Sequence, residues 1–132
     1  MRAAVLPEIP SMLEIAEIQV DRPGPREVLV RTVAAGLCHS DLHFMEGKYN
    51  CDTPTVPGHE AAGVVEAVGP GVGDVRSGDH VVLSFVPGCG LCAECAGGEP
   101  ILCAAAAAAN GEGRLLGGGT RLTAADGAVH HH

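Results

Sequence analysis

The sequence predicts a mainly β fold, in the form of a β-barrel or a compact sandwich of short strands. Two observations predict it. Short apolar runs recur along the first 86 residues, with Gly and Pro at the corners between them. The chain of 132 residues has the length of one domain and contains 19 Gly and 9 Pro, but only one Tyr, two Phe and no Trp. Its core is therefore expected to be built from small aliphatic side chains.

The predicted strands are apolar segments that end at a Gly, a Pro or a charged turn. In chain order they are residues 2–6, 12–20, 28–35, 61–68 and 80–86. The second run fits neither the helical nor the strand period cleanly. Its three β-branched residues and the prolines around it favour a bulged strand, and a helix stays open as the alternative. The third run is almost continuously apolar, which is typical of a strand buried on both faces.

One short helix is predicted between the third and fourth strands. Ser40 is its expected N-cap, and the helix runs through Glu46 to a stop at Gly47. Residues 48–57 contain two prolines and little periodicity, so they are predicted to be a loop. Residues 104–119 are also predicted to be a loop, because six alanines are too few to nucleate a helix alone and a glycine-rich stretch follows them.

Charge and hydropathy narrow the function classes. Sixteen acidic residues against eight basic ones give a formal net charge of −8, which disfavours binding to nucleic acid. No apolar stretch approaches the ~20 residues of a membrane helix, and residues 1–13 lack the pattern of a signal peptide, so we expect a cytoplasmic protein with no membrane partner. Six cysteines in such a chain favour metal binding or catalysis over disulfides.

Four of the cysteines form a dense cluster in a lobe at residues 87–104. Their pattern is C-x2-C-x2-C-x7-C, made by Cys89, Cys92, Cys95 and Cys103. Four thiolates complete the coordination of Zn²⁺ and leave no position for a substrate, so the predicted site is structural. An iron–sulfur cluster is the main alternative, although the last spacer is longer than in ferredoxins and Ala104 replaces their proline. Four unrelated thiols or adventitious disulfides are the other alternative.

A second group of metal-binding residue types stands at two strand ends. Cys38 follows the third predicted strand, and His59 with Glu60 precedes the fourth. A thiolate and an imidazole are two of the three protein ligands in a catalytic zinc site made of two cysteines and one histidine, and the third would be Cys51 or a residue outside the chain. Each residue also has a simpler explanation: a packed core cysteine, a hydrogen-bonded turn histidine and, for Asp41, a charge at a helix N-terminus.

These residues carry a family resemblance. The segments GLCHSDLH, PGHE, GVVEAVG and GDHV, at residues 36–43, 57–60, 63–69 and 78–81, resemble the N-terminal part of the zinc-dependent medium-chain alcohol dehydrogenases. The cysteine lobe resembles that family's structural-zinc lobe at every ligand, so the likeness extends from residue 1 to about residue 103. The resemblance implies that residues 1–132 are a partial GroES-like β-barrel catalytic domain of an oxidoreductase.

The same resemblance implies a ligand set for a catalytic zinc. Cys38 and His59 would bind the ion, with Glu60 beside them in the metal site, and Asp41 would hydrogen-bond the histidine. The family's second cysteine ligand lies beyond position 132. Cys51 or the histidines at 130–132 could substitute for it; otherwise the site would be vacant or weakly filled.

The resemblance also implies how a cofactor and a proton are handled. Ser40 would pass the alcohol proton through the cofactor ribose toward His43, and His39 would contact the cofactor pyrophosphate. The substrate would be a small-molecule alcohol or aldehyde and the cofactor NAD or NADP. The full-length form would be a homo-oligomer.

One part of the family pattern is missing from these residues. No strand, G-x-G-x-x-G turn and helix of a Rossmann domain is present, since Gly117–Gly119 follows no predicted strand. We therefore expect a truncated or split dehydrogenase that is inactive as an isolated chain. The alternatives are a zinc-binding module without catalysis and a small iron–sulfur electron carrier.

Overall fold

The computed structural model describes residues 1–131, which contain seven strands, three short α-helices and one 3₁₀ turn. The strands are β1 (Arg2–Val5), β2 (Glu14–Val20), β3 (Val28–Ala35), β4 (Ala61–Val68), β5 (His80–Val82), β6 (Leu122–Ala124) and β7 (Val129–His130). The helices are α1 (His39–Met45), α2 (Ala93–Ala96) and α3 (Ala104–Gly111), with the 3₁₀ turn at Pro100–Leu102. No helix in this part of the chain is long and apolar enough to cross a bilayer.

The strands of the described residues form two antiparallel sheets. One has the order β1-β2-β6-β7 and the other the order β3-β4-β5. Thr55, in the predicted loop, bridges Leu6 and His131 and so attaches that loop to the first sheet. The fold is mainly β as predicted, but within residues 1–131 the two sheets stay open and do not close into a barrel.

The pairing of β3 with β4 contains two bulges. The register changes between Leu29 and Val30, and again between Thr32 and Ala34, where Val33 has no partner on β4. The first irregularity places an extra residue on β4 and the second an extra residue on β3, so the shifts cancel. Ala35 therefore pairs with Ala61 at the end of the sheet where the second group of candidate ligands lies.

The buried core is small and aliphatic. It comprises Val5, Leu6, Ile18, Val65, Cys103 and Ala106. The prediction that β3 is buried on both faces is wrong, because only its Leu29 and Val30 are partly covered and Val33 is 67% exposed.

Most predicted strands are confirmed, with local corrections. β2 is a strand, but its pairing with β1 and with β6 keeps a regular register, so the predicted bulge is absent there. β5 ends at Val82 instead of residue 86. The Ser84 hydroxyl accepts the Val86 N–H at 3.3 Å, and this local turn replaces strand pairing.

Both helix predictions also need correction. The N-cap of α1 is Cys38 instead of Ser40, while Gly47 ends the helix with φ +74° as predicted. Residues 104–111 form helix α3 where a loop is predicted. Tertiary contacts stabilise this alanine helix: Ala106 is buried in the core, and the Asn110 side-chain amide donates to the Phe85 carbonyl at 3.0 Å.

Candidate metal centres

The four cysteines of the lobe converge on one point. The Sγ atoms of Cys89, Cys92, Cys95 and Cys103 all lie within 4.8 Å of one another. In a tetrahedral site with Zn–S bonds of about 2.3 Å, neighbouring sulfurs are roughly 3.8 Å apart, so small side-chain adjustments close the site. The donor set and its spacing therefore fit a structural zinc ion.

Backbone N–H groups donate hydrogen bonds to sulfur atoms of this cluster. The N–H groups of Leu91 and Cys92 each donate to Cys89 Sγ at 3.4 Å, and Cys89 N–H points to Cys103 Sγ at 3.5 Å. Because the amides of Leu91 and Cys92 stabilise the ionised form, the pKa of Cys89 is lowered to about 6. The Cys95 amide lowers the pKa of Cys92, yet the Cys95 and Glu94 side chains outweigh it and raise that pKa to about 12. The pKa of Cys103 is lowered as well, mainly by the Cys89 backbone amide.

The second group of candidate ligands also comes together. One donor atom each from Cys38, His59 and Glu60 lies within 4.8 Å of the others. Cys38 follows β3, and His59 and Glu60 precede β4, so the Ala35–Ala61 pair brings both segments to the same sheet end. The Gly36 N–H donates to the Glu60 carbonyl at 2.8 Å and continues the pairing toward the site.

The His59 ring faces two residues of α1. Its Nε2 lies 3.4 Å from the Ser40 hydroxyl, and its Nδ1 faces Asp41 Oδ1 at 3.8 Å. The other Asp41 oxygen accepts the Cys38 N–H at 2.9 Å. The predicted Asp41–His59 hydrogen bond is not formed at this distance, which leaves the buried Oδ1 without a hydrogen-bond partner. That orphaned oxygen fits a partner for an imidazole whose Nε2 binds a metal.

The pKa of the Cys38 thiol in the second cluster depends on Ser40 and His59. The side chain of Ser40, its backbone amide and His59 lower the pKa of Cys38, in that order of importance. By contrast, burial raises the pKa of Cys51. Among residues 1–131, neither Cys51 nor the histidines at 130 and 131 belong to this cluster. The sequence leaves open whether one of these residues completes the site; in the described residues none of them joins the cluster, and His132 lies outside the described part of the chain.

A cleft of about 970 Å³ opens over the second cluster. It is lined by the cluster, by Ser40 and by small or apolar side chains that include Val82 and Phe85. The Phe85 ring lies 5.6 Å from the His59 ring in an edge-to-face contact. Sequence reasoning missed Phe85, for which the only signal was its rarity as one of two phenylalanines.

The remaining predicted site residues lie on α1. The His39 and His43 rings meet edge to face at 4.7 Å, and the His43 ring also contacts Tyr49 at 5.0 Å. Ser40 and His43 are three residues apart, a spacing that places them on the same side of the helix. In the described residues His39 and His43 are outside both donor clusters.

The described residues thus hold a four-cysteine cluster and a mixed sulfur, nitrogen and oxygen cluster on antiparallel sheets, which defines a domain with two candidate metal sites. The sequence profile of the alcohol dehydrogenase GroES-like domain matches residues 24–131. The chain therefore belongs to this family, which confirms the resemblance and the GroES-like fold class predicted from the sequence.

Sequence relatives are alcohol dehydrogenases. The chain is 54% identical over 101 residues to the putative alcohol dehydrogenase D of Mycobacterium tuberculosis. It is 52% identical over 102 residues to the NDMA-dependent alcohol dehydrogenase of Amycolatopsis methanolica. These alignments cover 76% and 77% of this chain but only 27% and 28% of the two relatives. The chain thus spans little more than a quarter of the length of the curated relatives it matches.

Solved structures agree with this assignment. The chain superposes on an alcohol dehydrogenase zinc-binding domain protein from Burkholderia ambifaria with a TM-score of 0.91 and 45% identity, over 98% of this chain and 35% of that one. It superposes on benzyl alcohol dehydrogenase from Acinetobacter calcoaceticus with a TM-score of 0.86 and 38% identity, over 98% of this chain and 34% of that one.

Proposed function

We propose that this chain is the metal-binding catalytic portion of a zinc-dependent alcohol dehydrogenase, which oxidises an alcohol to an aldehyde or ketone with NAD or NADP. The observation that carries the proposal is the presence of two separate donor clusters, one closed and one open to a cleft. A closed site of four cysteines is structural, whereas a site with fewer protein ligands beside a cleft leaves a position for substrate.

The residues of the second cluster and Asp41 would have different roles in metal binding. Cys38, His59 and Glu60 would supply the donor atoms, and Asp41 would keep the proton on Nδ1 of the histidine so that Nε2 is free to bind. Zinc bound there would lower the pKa of a bound hydroxyl toward neutrality. Further ligands would have to come from outside the described residues.

The cleft would bind the substrate, and residues of α1 would accept its proton. The apolar lining, with Phe85 and Val82, would accept the carbon skeleton of an alcohol and exclude water from it. Ser40 lies at the cleft and at the His59 ring, so its hydroxyl is placed to take the alcohol proton. His43, on the same side of α1, is the proposed next acceptor, and His39 the proposed contact to the cofactor pyrophosphate.

Metal analysis tests this proposal. We expect the purified chain to carry one tightly bound zinc per molecule in the lobe and to bind a second divalent ion more weakly. Cys89→Ser should lose the tight ion, and Cys38→Ser should lose only the weak one. Cobalt substitution checks the assignment, because only a thiolate-rich site gives strong sulfur-to-cobalt charge-transfer absorption. A chain without zinc after expression in metal-supplemented medium, or a brown chain containing iron, would contradict the proposal.

A further inference from the structure

Arg26 has an unusual backbone for its residue type. Its φ of +61° is the only positive value at a non-glycine position in the part of the chain that the structure describes. Non-glycine residues adopt this conformation rarely, and only where the surroundings hold them in it. A glycine would occupy the position without strain.

The turn that carries Arg26 is fixed from both sides. Its N–H donates to the Pro70 carbonyl at 2.8 Å, and the Gly69 N–H donates to the Glu27 carbonyl at 2.8 Å. The Glu27 carboxylate accepts two guanidinium hydrogen bonds from Arg121, at 2.8 and 3.0 Å. These contacts hold the turn firmly and fix the direction in which Arg26 leaves it.

The Arg26 guanidinium reaches the metal lobe. It donates to the carbonyl oxygen of Cys89 at 3.0 Å, across 63 positions of the chain. Cys89 is the first of the four sulfur ligands along the chain. The two short helical segments of the lobe, α2 and the 3₁₀ turn, pack on each other and not on a strand. At the other end of the lobe Cys103 is buried in the core, so the Arg26 hydrogen bond attaches the end of the lobe that begins at Cys89.

We propose that Arg26 is a positioning residue that docks the four-cysteine lobe onto the β3–β4 sheet through the Cys89 carbonyl and thereby slows metal loss from the lobe. The proposal rests on the proposed function, in that the lobe holds zinc. Metal would leave a closed four-thiolate site by stepwise release of its ligands, and a Cys89 backbone held in place would keep its sulfur near the ion and favour rebinding. The guanidinium hydrogen bond opposes movement of that backbone.

The rate of zinc release tests the proposal. The zinc-loaded chain is mixed with excess chromogenic chelator, and release is followed by absorbance. Arg26→Met removes the guanidinium but keeps the aliphatic stem, and we expect it to release zinc about fivefold faster, the factor that one ordinary hydrogen bond contributes. Arg26→Lys, which keeps a donor with a different geometry, should give an intermediate rate.

Two further variants separate docking from general stability. Arg26→Gly removes the guanidinium and also relieves the backbone strain, so it should accelerate release like Arg26→Met while its melting temperature stays at or above that of the wild type. Arg114→Met is the matched control. Arg26 and Arg114 line one groove, but Arg114 pairs with Glu112 at 3.4 Å and not with the lobe. It should release zinc at the wild-type rate.

The outcomes distinguish the two proposals. Wild-type release rates in Arg26→Met, from a chain that carries its zinc, would overturn the role of Arg26 and leave the proposed function intact. Equal acceleration in Arg114→Met, or a melting temperature that falls in parallel with faster release in Arg26→Gly, would also overturn it. A wild-type chain that binds no zinc in the lobe would overturn both proposals.

Discussion

Asp41 connects the local structure of α1 with the chemistry of the second metal cluster. One carboxylate oxygen accepts the Cys38 N–H at 2.9 Å and stabilises the start of the helix, while the other faces His59. The residue is only 6% exposed, so its negative charge acts in a weakly screened environment. A substitution that removes the charge but keeps the oxygen that accepts the Cys38 N–H therefore separates the role of Asp41 in the helix from its role at the metal site.

We expect Asp41→Asn to weaken metal binding at the second cluster by about 10–100-fold, because the imidazole loses the carboxylate that orients it. Stability should change by less than about 1 kcal/mol, since the amide oxygen still accepts the Cys38 N–H. Competition titration with a chelator, after the four-cysteine lobe is saturated, measures the affinity.

Asp79→Asn is the control for this variant. Asp79 accepts the Arg76 N–H at 3.0 Å in an equivalent local bond, but it lies outside both clusters. Its affinity for the second metal should equal that of the wild type. Unchanged affinity in Asp41→Asn would show that the carboxylate takes no part in metal binding.

At the level of elements, the end of β4 is locked against the turn that precedes β3. Gly69 is buried, and a Cβ atom there would overlap the Gly24 carbonyl oxygen. Since the contact is between backbone and backbone, neither segment can move aside without breaking the hydrogen bond from the Gly69 N–H to Glu27. Close approach of the two main chains explains why glycine stands here.

Gly69→Ala should lower the free energy of unfolding by about 2–3 kcal/mol, the upper range for overpacking a close contact. Gly73→Ala is the matched control, because a Cβ atom there would meet nothing within 4 Å and the φ of Gly73 is not positive. Urea denaturation of both variants measures the difference. Equal stability of the two would mean that the Gly24–Gly69 approach relaxes at little cost.

Local sequence patterns account for some elements and not for others. Continuous β-branched runs flanked by turn residues predict β3 and β4 at their observed bounds. They fail for α3, whose helix depends on burial of Ala106 and on the Asn110 side-chain contact, neither of which is encoded by local propensity. Tertiary contacts decide such marginal segments.

The two metal clusters also differ in how far the local sequence predicts them. The lobe is predictable from spacing alone, since its four ligands lie within fifteen residues. The second cluster depends on the register of β3 with β4, which spacing does not contain. The sequence places Cys38 and His59 at two strand ends, and the family resemblance implies that both bind one metal ion. Phe85 and Arg26 were found only from the structure, because neither belongs to a recognisable motif.

The molecule as a whole is open. Its accessible surface is 8392 Å², whereas a compact monomer of this mass exposes about 6,500 Å². Large apolar side chains contribute to the excess, among them Val82 at 83% and Val33 at 67% exposure. Apolar surface of this extent is a liability for self-association in the isolated chain.

We expect the isolated chain to enhance the fluorescence of the dye ANS under native conditions and to sediment faster as its concentration rises. Val33→Thr combined with Val82→Thr should reduce both effects without lowering the melting temperature, because the replaced methyl groups face solvent. Dye fluorescence and sedimentation velocity provide the measurements. A strictly monomeric chain with no dye enhancement would contradict the expectation.

The unpaired residue Val33 limits how far the length of β3 can change. Successive side chains of a strand alternate between faces, so the extra position sets the phase in which the chain arrives at Cys38. Loss of one residue from β3 beyond the bulge would present the thiol to the wrong face, about 3.3 Å from its place opposite His59. Evolution or engineering can therefore exchange side chains along this strand far more freely than it can alter the strand's length.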